Sequence, residues 1–187
     1  MKHSLVIGLV LSALLSTPAF AAHWNVDYSK SKLGFGVQWS NQPFGAVFKS
    51  WKADIAFDPA DLAHSHVTVT IDLSSEASDS PDNDDGIQGA QGFQVSQFPA
   101  AKFEASGFTH SSGDRYTANG FLTIKGVKKP VTLNFQLQIA GDKAHMSGTA
   151  DAMRLDWGLG NGGEWSGDKP VSHKVGIFVD LTATKAH

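Results

Sequence analysis

The chain has 187 residues, a formal net charge of −3 and no cysteine, which excludes a disulfide framework, thiolate catalysis and thiolate metal ligation. Fifteen Lys and Arg against 18 Asp and Glu, with Arg115 and Arg154 as the two arginines, give neither a basic nucleic-acid footprint nor a polybasic membrane patch. Glycine (19) and phenylalanine (12) are frequent, and helical periodicity is scarce, which favours a turn-rich β fold of one domain.

The chain opens with Lys2 and His3, then Leu5 to Leu15, an apolar core of about 11 residues, then Ala19-Phe20-Ala21, an Ala-x-Ala cleavage pattern. A spanning helix needs about 20 apolar residues. The expectation is a signal peptide over 1–21, cleaved after Ala21, and a single exported domain over 22–187 in the periplasm.

From Trp24 the pattern has a period of two, the mark of a strand with one dry face and one wet face. Trp24–Tyr28 alternates, and Leu33, Phe35, Val37 and Trp39 share one phase. Gly34 and Gly36 in the other phase suggest a bend or a close neighbouring backbone. Asn41-Gln42-Pro43 reads as a turn, and Phe44–Phe57 as two strands or one long bent strand. Val67, Val69, Ile71 and Leu73 then alternate with Thr68, Thr70 and Asp72.

Ser74–Gly92 breaks the alternation. It carries Glu76, Asp79, Asp82, Asp84 and Asp85 and reads as a long polar connection, with a short helix starting near Asp84. Such connections are usually functional or mobile. Phe93–Pro99 forms an aromatic corner. Further strands are expected over Lys102–Phe108 and Arg115–Ile124, joined by a turn at Ser111–Asp114. Val131–Ile139, apolar at every second position, is with His66–Leu73 the clearest strand. With Gly120–Ile124 it makes a hairpin whose connection is read as Lys125–Pro130, Pro130 suiting a strand start because it lacks a ladder donor. Lys143–Met153 is another strand. Leu155–Lys169 reads as an irregular Gly- and Trp-rich loop, and Val171–Ala183 closes the chain. Eight to ten short strands spaced by turns give a sandwich or a closed barrel.

Several groupings could carry chemistry. Arg154 and Asp156, with Asn161 and Trp165 nearby, could grip a polar head group. They could equally pin their own loop through an ion pair or backbone bonds. His64 and His66 have a spacing seen in metal sites but lack a third ligand, so no metal is expected. Asp82–Gly86 hints at calcium, but the acid that the loop pattern needs falls on Pro81. There is no Gly-x-Ser-x-Gly elbow, no His-Glu-x-x-His and no phosphate loop, and the chain is not expected to be an enzyme or to carry a cofactor.

Four stretches resemble the YceI-like family of polyisoprenoid-binding, lipocalin-like proteins. They are Trp24-Asn-Val-Asp27-Tyr-Ser29 with Leu33-Gly-Phe35; Phe57-Asp58-Pro59 running into Val67–Leu73; Gly92-Phe93 with Phe98-Pro99-Ala-Ala-Lys-Phe103; and Gly120–Val131. Arg154–Gly160 through Glu164-Trp165 is similar to one branch of that family. The resemblance implies an all-β fold: an eight-stranded antiparallel lipocalin-like barrel with a short helix at one end. It also implies a periplasmic carrier whose apolar lumen takes an isoprenoid lipid, such as a prenyl diphosphate or a quinone. Many relatives carry a basic or His-containing segment before the aromatic corner; here Asp85–Gly92 has no cation, which removes an obvious diphosphate partner.

The expected lipid-binding residues are Phe35, Val37, Val69, Ile71, Phe93, Phe98, Phe103, Leu122, Leu133, Phe135, Leu137, Ile177 and Val179. The same stripes would also suit a solid core. A structural or interaction module contacting a membrane or redox-protein partner is the alternative function, and a homodimer is an open expectation.

Overall fold

Period-two alternation becomes strand wherever the sequence carries it, in a computed structural model that describes residues 21–187. The expected signal peptide lies, but for Ala21, outside the described residues. β1 (His23–Val26) and β2 (Lys32–Trp39) run along the same edge of the last strand, β11 (Lys174–Lys185), with Trp24 opposite Lys185 and Phe35 opposite Ile177. They form one strand interrupted at Asp27, whose carboxylate accepts from the Ser29 N–H at 3.1 Å and its hydroxyl at 2.6 Å. β3 (Gln42–Phe48) and β4 (Trp51–Ala56) are likewise two halves of a bent strand, β3 pairing with β2 and β4 with β1. β5 (His66–Asp72) continues through a 3-10 turn at Leu73–Ser75 into β6 (Glu76–Ala77), which pairs with β3.

β7 (Ala100–Ser112), β8 (Arg115–Ile124), β9 (Val127–Ala140) and β10 (Lys143–Met153) are successive antiparallel neighbours. Hydrogen bonding runs β1–β4–β5–β7–β8–β9–β10–β11 and returns to β1, so the sheet closes on itself. Counting each interrupted pair once gives eight antiparallel strands, the barrel size that side chains fill or that holds one small ligand. Register shifts at Ala105/Gly107 and His110/Ser112 place bulges in long β7, and bulges add the twist a closing sheet needs. Gly34 has the role its position suggests: a Cβ there would sit 2.3 Å from the Ala46 carbonyl oxygen and 2.5 Å from the Phe178 ring.

Three expectations need correction. The β8–β9 connection is two residues, not six: Ile124 pairs with Val127, and Lys125 and Gly126 have φ of +49° and +76°. Two successive positive-φ residues match the right-handed twist of the flanking strands, which favours so tight a turn. Pro130 therefore lies within β9. It is tolerated because β9 pairs with β10 only from Asn134 onward, leaving that edge free of ladder bonds at Pro130. The β2–β3 turn is Ser40–Asn41, one step earlier than expected, and Pro43 is already in strand. The stretch 74–92 is largely ordered into the 3-10 turn, β6 and helix α1 (Pro81–Gln88), which begins at Pro81 rather than Asp84. Proline suits the first helical turn, where no intrahelical donor is needed.

Candidate functional site

The dry faces of the strands converge on an internal cavity of about 280 Å³. Each element brings its residues by the same rule: alternate side chains point inward. Phe35 and Val37 come from β2, Val69 and Ile71 from β5, and Phe103 and Leu122 from β7 and β8. Leu133, Phe135 and Leu137 come from β9, Ile177 and Val179 from β11, and Phe93 from the segment after α1. Phe98 does not line the cavity. It is half-buried at the barrel end, with its ring near Gly126.

The two ends differ. Where β7 descends and β8 begins, Phe57 packs against Phe108 (5.2 Å between centroids), Tyr116 (5.8 Å) and Phe135 (6.3 Å). The Trp24 indole N–H donates to the Phe57 carbonyl at 2.9 Å. These rings form a floor. At the other end α1, the 155–173 loop and the two tight turns gather. Phe35, Phe48 and Phe93 form a triad with centroids 5.9 to 6.1 Å apart, and Trp39 packs on Phe44 (5.3 Å) and Trp165 (5.6 Å). Ile87 of α1 also lines the cavity, so the helix closes part of this mouth. Trp24, Trp39, Phe44, Phe48, Phe57 and Trp157 are lining residues that sequence reasoning did not select. Trp24 and Trp39 were legible in their strand phases. Trp157 was not, because it follows β10 in a 3-10 turn and reaches back to donate to the Leu122 carbonyl at 3.1 Å.

Among the described residues, Arg154 is the one ionisable side chain on the lining. Its guanidinium is already spent on backbone carbonyls. Nε donates to Ser172 (3.0 Å), Nη1 to Leu159 (2.7 Å) and Gly160 (3.0 Å), and Nη2 to Trp165, Gly167 (3.3 Å) and Val171 (2.8 Å). All five N–H donors are used, which leaves none for a head group. Burial pulls its pKa below the ordinary guanidinium value, and Asp168 opposes that shift. Of the two alternatives read from the sequence, the structure has the loop-pinning one, through backbone bonds rather than an ion pair. The head-group cluster is not assembled: Asp156 is exposed and lines a separate outer cleft with Trp157, Asn161 is exposed, and Trp165 alone joins Arg154 at the lumen.

Two other sequence features find local roles. His64 contacts the Asp61 carboxylate at 2.8 Å, ahead of β5. The Asp84 carboxylate accepts from the Ser78 N–H at 2.8 Å, so it braces α1. The cation missing from Asp85–Gly92 arrives from the neighbouring hairpin, where the Lys125 ammonium donates to the Gly92 carbonyl at 3.2 Å.

An apolar cavity of ~150 Å³ stays dry and takes up benzene. This one, at about 280 Å³, has room for hydrocarbon and offers water almost nothing to bind. The arrangement can hold an apolar chain by burial; it contains no paired acid and base, and no nucleophile, facing the cavity among the described residues.

The model of the YceI-like domain matches residues 24–183. A UPF0312 protein of Photorhabdus laumondii is 30% identical over 141 residues, 73% of each chain. The crystal structure of Burkholderia cenocepacia BcnA superposes with a TM-score of 0.81 at 30% identity, covering 86% of this chain and 100% of that one. A Saccharophagus degradans domain described as polyisoprenoid binding superposes with a TM-score of 0.67 at 15% identity, covering 88% and 99%; at that identity the likeness is one of fold.

Proposed function

The chain belongs to the YceI-like family, and from that premise we propose that it is a periplasmic carrier of a long-chain isoprenoid lipid, a prenyl lipid or a quinone, held by its tail in the barrel lumen. The observation that carries this reading is the lining: residues from every layer of the barrel, apolar throughout except for an arginine whose donors are all occupied. The polyisoprenoid-binding description of the Saccharophagus degradans domain supports the choice of ligand class.

Energetics favour recognition by the tail. Each buried CH₂ contributes roughly 0.8 kcal/mol, so a few isoprene units supply enough to offset the ordering of the chain and its loss of free motion. A charged clamp on the head group is not required, in keeping with Arg154 being unavailable. The reading is one of binding, with the head group left near the mouth bounded by Trp39, Trp165 and α1.

Protein purified from its native host, exported and folded there, should release an isoprenoid lipid into organic solvent, identified by mass spectrometry of the extract. Repeated preparations that release none, or that release only the phospholipids of the host membrane, would overturn the reading.

A further inference from the structure

The barrel wall parts between β9 and β10. Their pairing stops at Asn134 opposite Thr149, although β9 starts at Val127 and β10 runs on to Met153. Pro130 stands in the unpaired stretch and has no N–H to offer across it, so the parting is written into the sequence. Outside it lies a cleft of about 190 Å³, lined by Pro130, Asp151, Met153, Asp156 and Lys174. Val131, Ala152 and Trp157 border this cleft and the lumen alike.

One side chain bars the parting. Trp157 follows β10, and its indole N–H reaches past β9 to the Leu122 carbonyl of β8 at 3.1 Å. Val131 and Ala152 are small beside it, so the indole supplies most of the bulk between inside and outside. The mouth is tied more firmly. There the Gly160 N–H donates to the Gln91 carbonyl at 2.7 Å and the Lys125 ammonium to the Gly92 carbonyl at 3.2 Å. The carbonyls held by Arg154 fix the loop above. Opening the mouth breaks several of these bonds together, whereas swinging the indole aside breaks one.

The parted edges are long. At the usual rise per residue they run about 20 Å on β9, over Val127–Leu133, and about 10 Å on β10, over Ala150–Met153. A slot of this shape admits a tail along its side and not only by its end. Its outer lip is apolar: Met153 is 46% exposed, and Pro130 is exposed beside it. Charged groups stand further along the same cleft, where Lys174 pairs with Asp151 at 2.8 Å and Asp156 is exposed. A polar head can wait there in water while the tail passes inward.

We propose that the parting of β9 and β10 is a lateral portal through which the lipid tail enters and leaves the lumen, with the Trp157 indole as its bar. The proposal rests on the carrier reading and adds the route to it. Moving the indole joins the outer cleft to the lumen and leaves the strand ladders, α1 and the Arg154-held loop in place. With the indole in place, the apolar wall stays shielded from water. A gate of this kind sets the rate of exchange.

The chain has no cysteine, so introduced thiols are the sole sites of bridging. Val131→Cys with Ala152→Cys places thiols on both edges of the portal. Gln91→Cys with Glu164→Cys places them on two sides of the mouth, where the Gln91 amide abuts Gly163. Each pair is bridged by a short bis-methanethiosulfonate, which dithiothreitol removes. The quantity measured is exchange of tritiated geranylgeraniol between loaded protein and cyclodextrin. Bridging the portal should stop exchange and reduction should restore it, while bridging the mouth should leave exchange as it was. Without any bridge, Trp157→Phe should speed exchange about fivefold, the rate equivalent of one buried hydrogen bond. Trp157→Ala should speed it further, with melting curves showing that both variants fold. These two variants decide the question on their own if the portal pair does not fold. Exchange that ignores the portal bridge, exchange stopped by the mouth bridge, or Trp157 variants no faster than wild type would overturn the portal and leave the carrier reading. Wild-type protein that takes up no geranylgeraniol at equilibrium would remove the carrier reading and the portal with it.

Discussion

Arg154 and Glu76 are 6% and 3% exposed and meet burial in opposite ways. Arg154 reaches the carbonyls of Leu159, Gly160, Trp165, Gly167, Val171 and Ser172, and thereby holds a loop whose regular structure is limited to short 3-10 turns. A lysine keeps the charge but has three donors and no planar fork. Arg154→Lys is therefore expected to cost about 3 kcal/mol or more, since each buried acceptor left without a donor costs ~1–3 kcal/mol. Urea denaturation measures it, and an unchanged midpoint would show that the loop holds itself. The Glu76 carboxyl has one oxygen without any partner, while the other receives a long 3.4 Å contact from Gln88. Burial, with Asp84 adding to it, pushes its pKa up from 4.5 to about 7. The folded chain then holds a proton that the unfolded chain releases at lower pH. Stability is fully retained below about pH 4.5, falls as pH rises through the folded value near 7, and loses at most about 3 kcal/mol. Glu76→Gln should flatten that slope between about pH 5 and about pH 8 in thermal melts and raise stability at the alkaline end. A slope that survives the substitution would place its origin elsewhere.

At the scale of the elements, the tight turns decide register. Lys125 occupies a positive-φ position that costs a non-glycine residue free energy, and it lies in a two-residue hairpin turn with Gly126. Asn-Gly is the favoured pair for such a turn. Lys125→Asn should stabilise the chain by about 0.5–1 kcal/mol, less the part-buried bond to Gly92; a drop in melting temperature would show that the lysine contact outweighs the strain. Alternation made β9 legible in the sequence, because Val131, Leu133, Phe135 and Leu137 must share one face whatever covers it. The turn was misread because the lysines and Pro130 look like loop. Pro130 sits in strand only because β10 has already diverged there, a fact of tertiary pairing that local pattern does not carry. Helix α1 was seen late for a related reason: its acidic, glycine-containing sequence has one buried residue, Ile87, too few to show a helical stripe.

For the whole molecule, the sequence stripes named the wall of the cavity, Phe98 apart, but not its hollowness. Inward alternation is identical for a filled barrel and an open one, and only the summed side-chain volumes distinguish them. Nor could the sequence show that the Arg154–Asp156 pairing would not assemble, since two residues apart in a loop says nothing about direction: Arg154 turns inward and Asp156 outward. The central claim is that the space framed by β5, β7, β9 and β11 is where the lipid goes. Val69 of β5, between Ala53 and Phe103, lines it, and Val69→Trp should occupy it with indole while leaving the strands paired. The most direct measurement is native mass spectrometry of delipidated protein reloaded with a long-chain prenyl lipid, alongside that variant and with both melting curves in hand. The account predicts one lipid per chain on the wild type and little or none on a Val69→Trp protein that still folds; no lipid on the wild type, or equal loading of both, would contradict it.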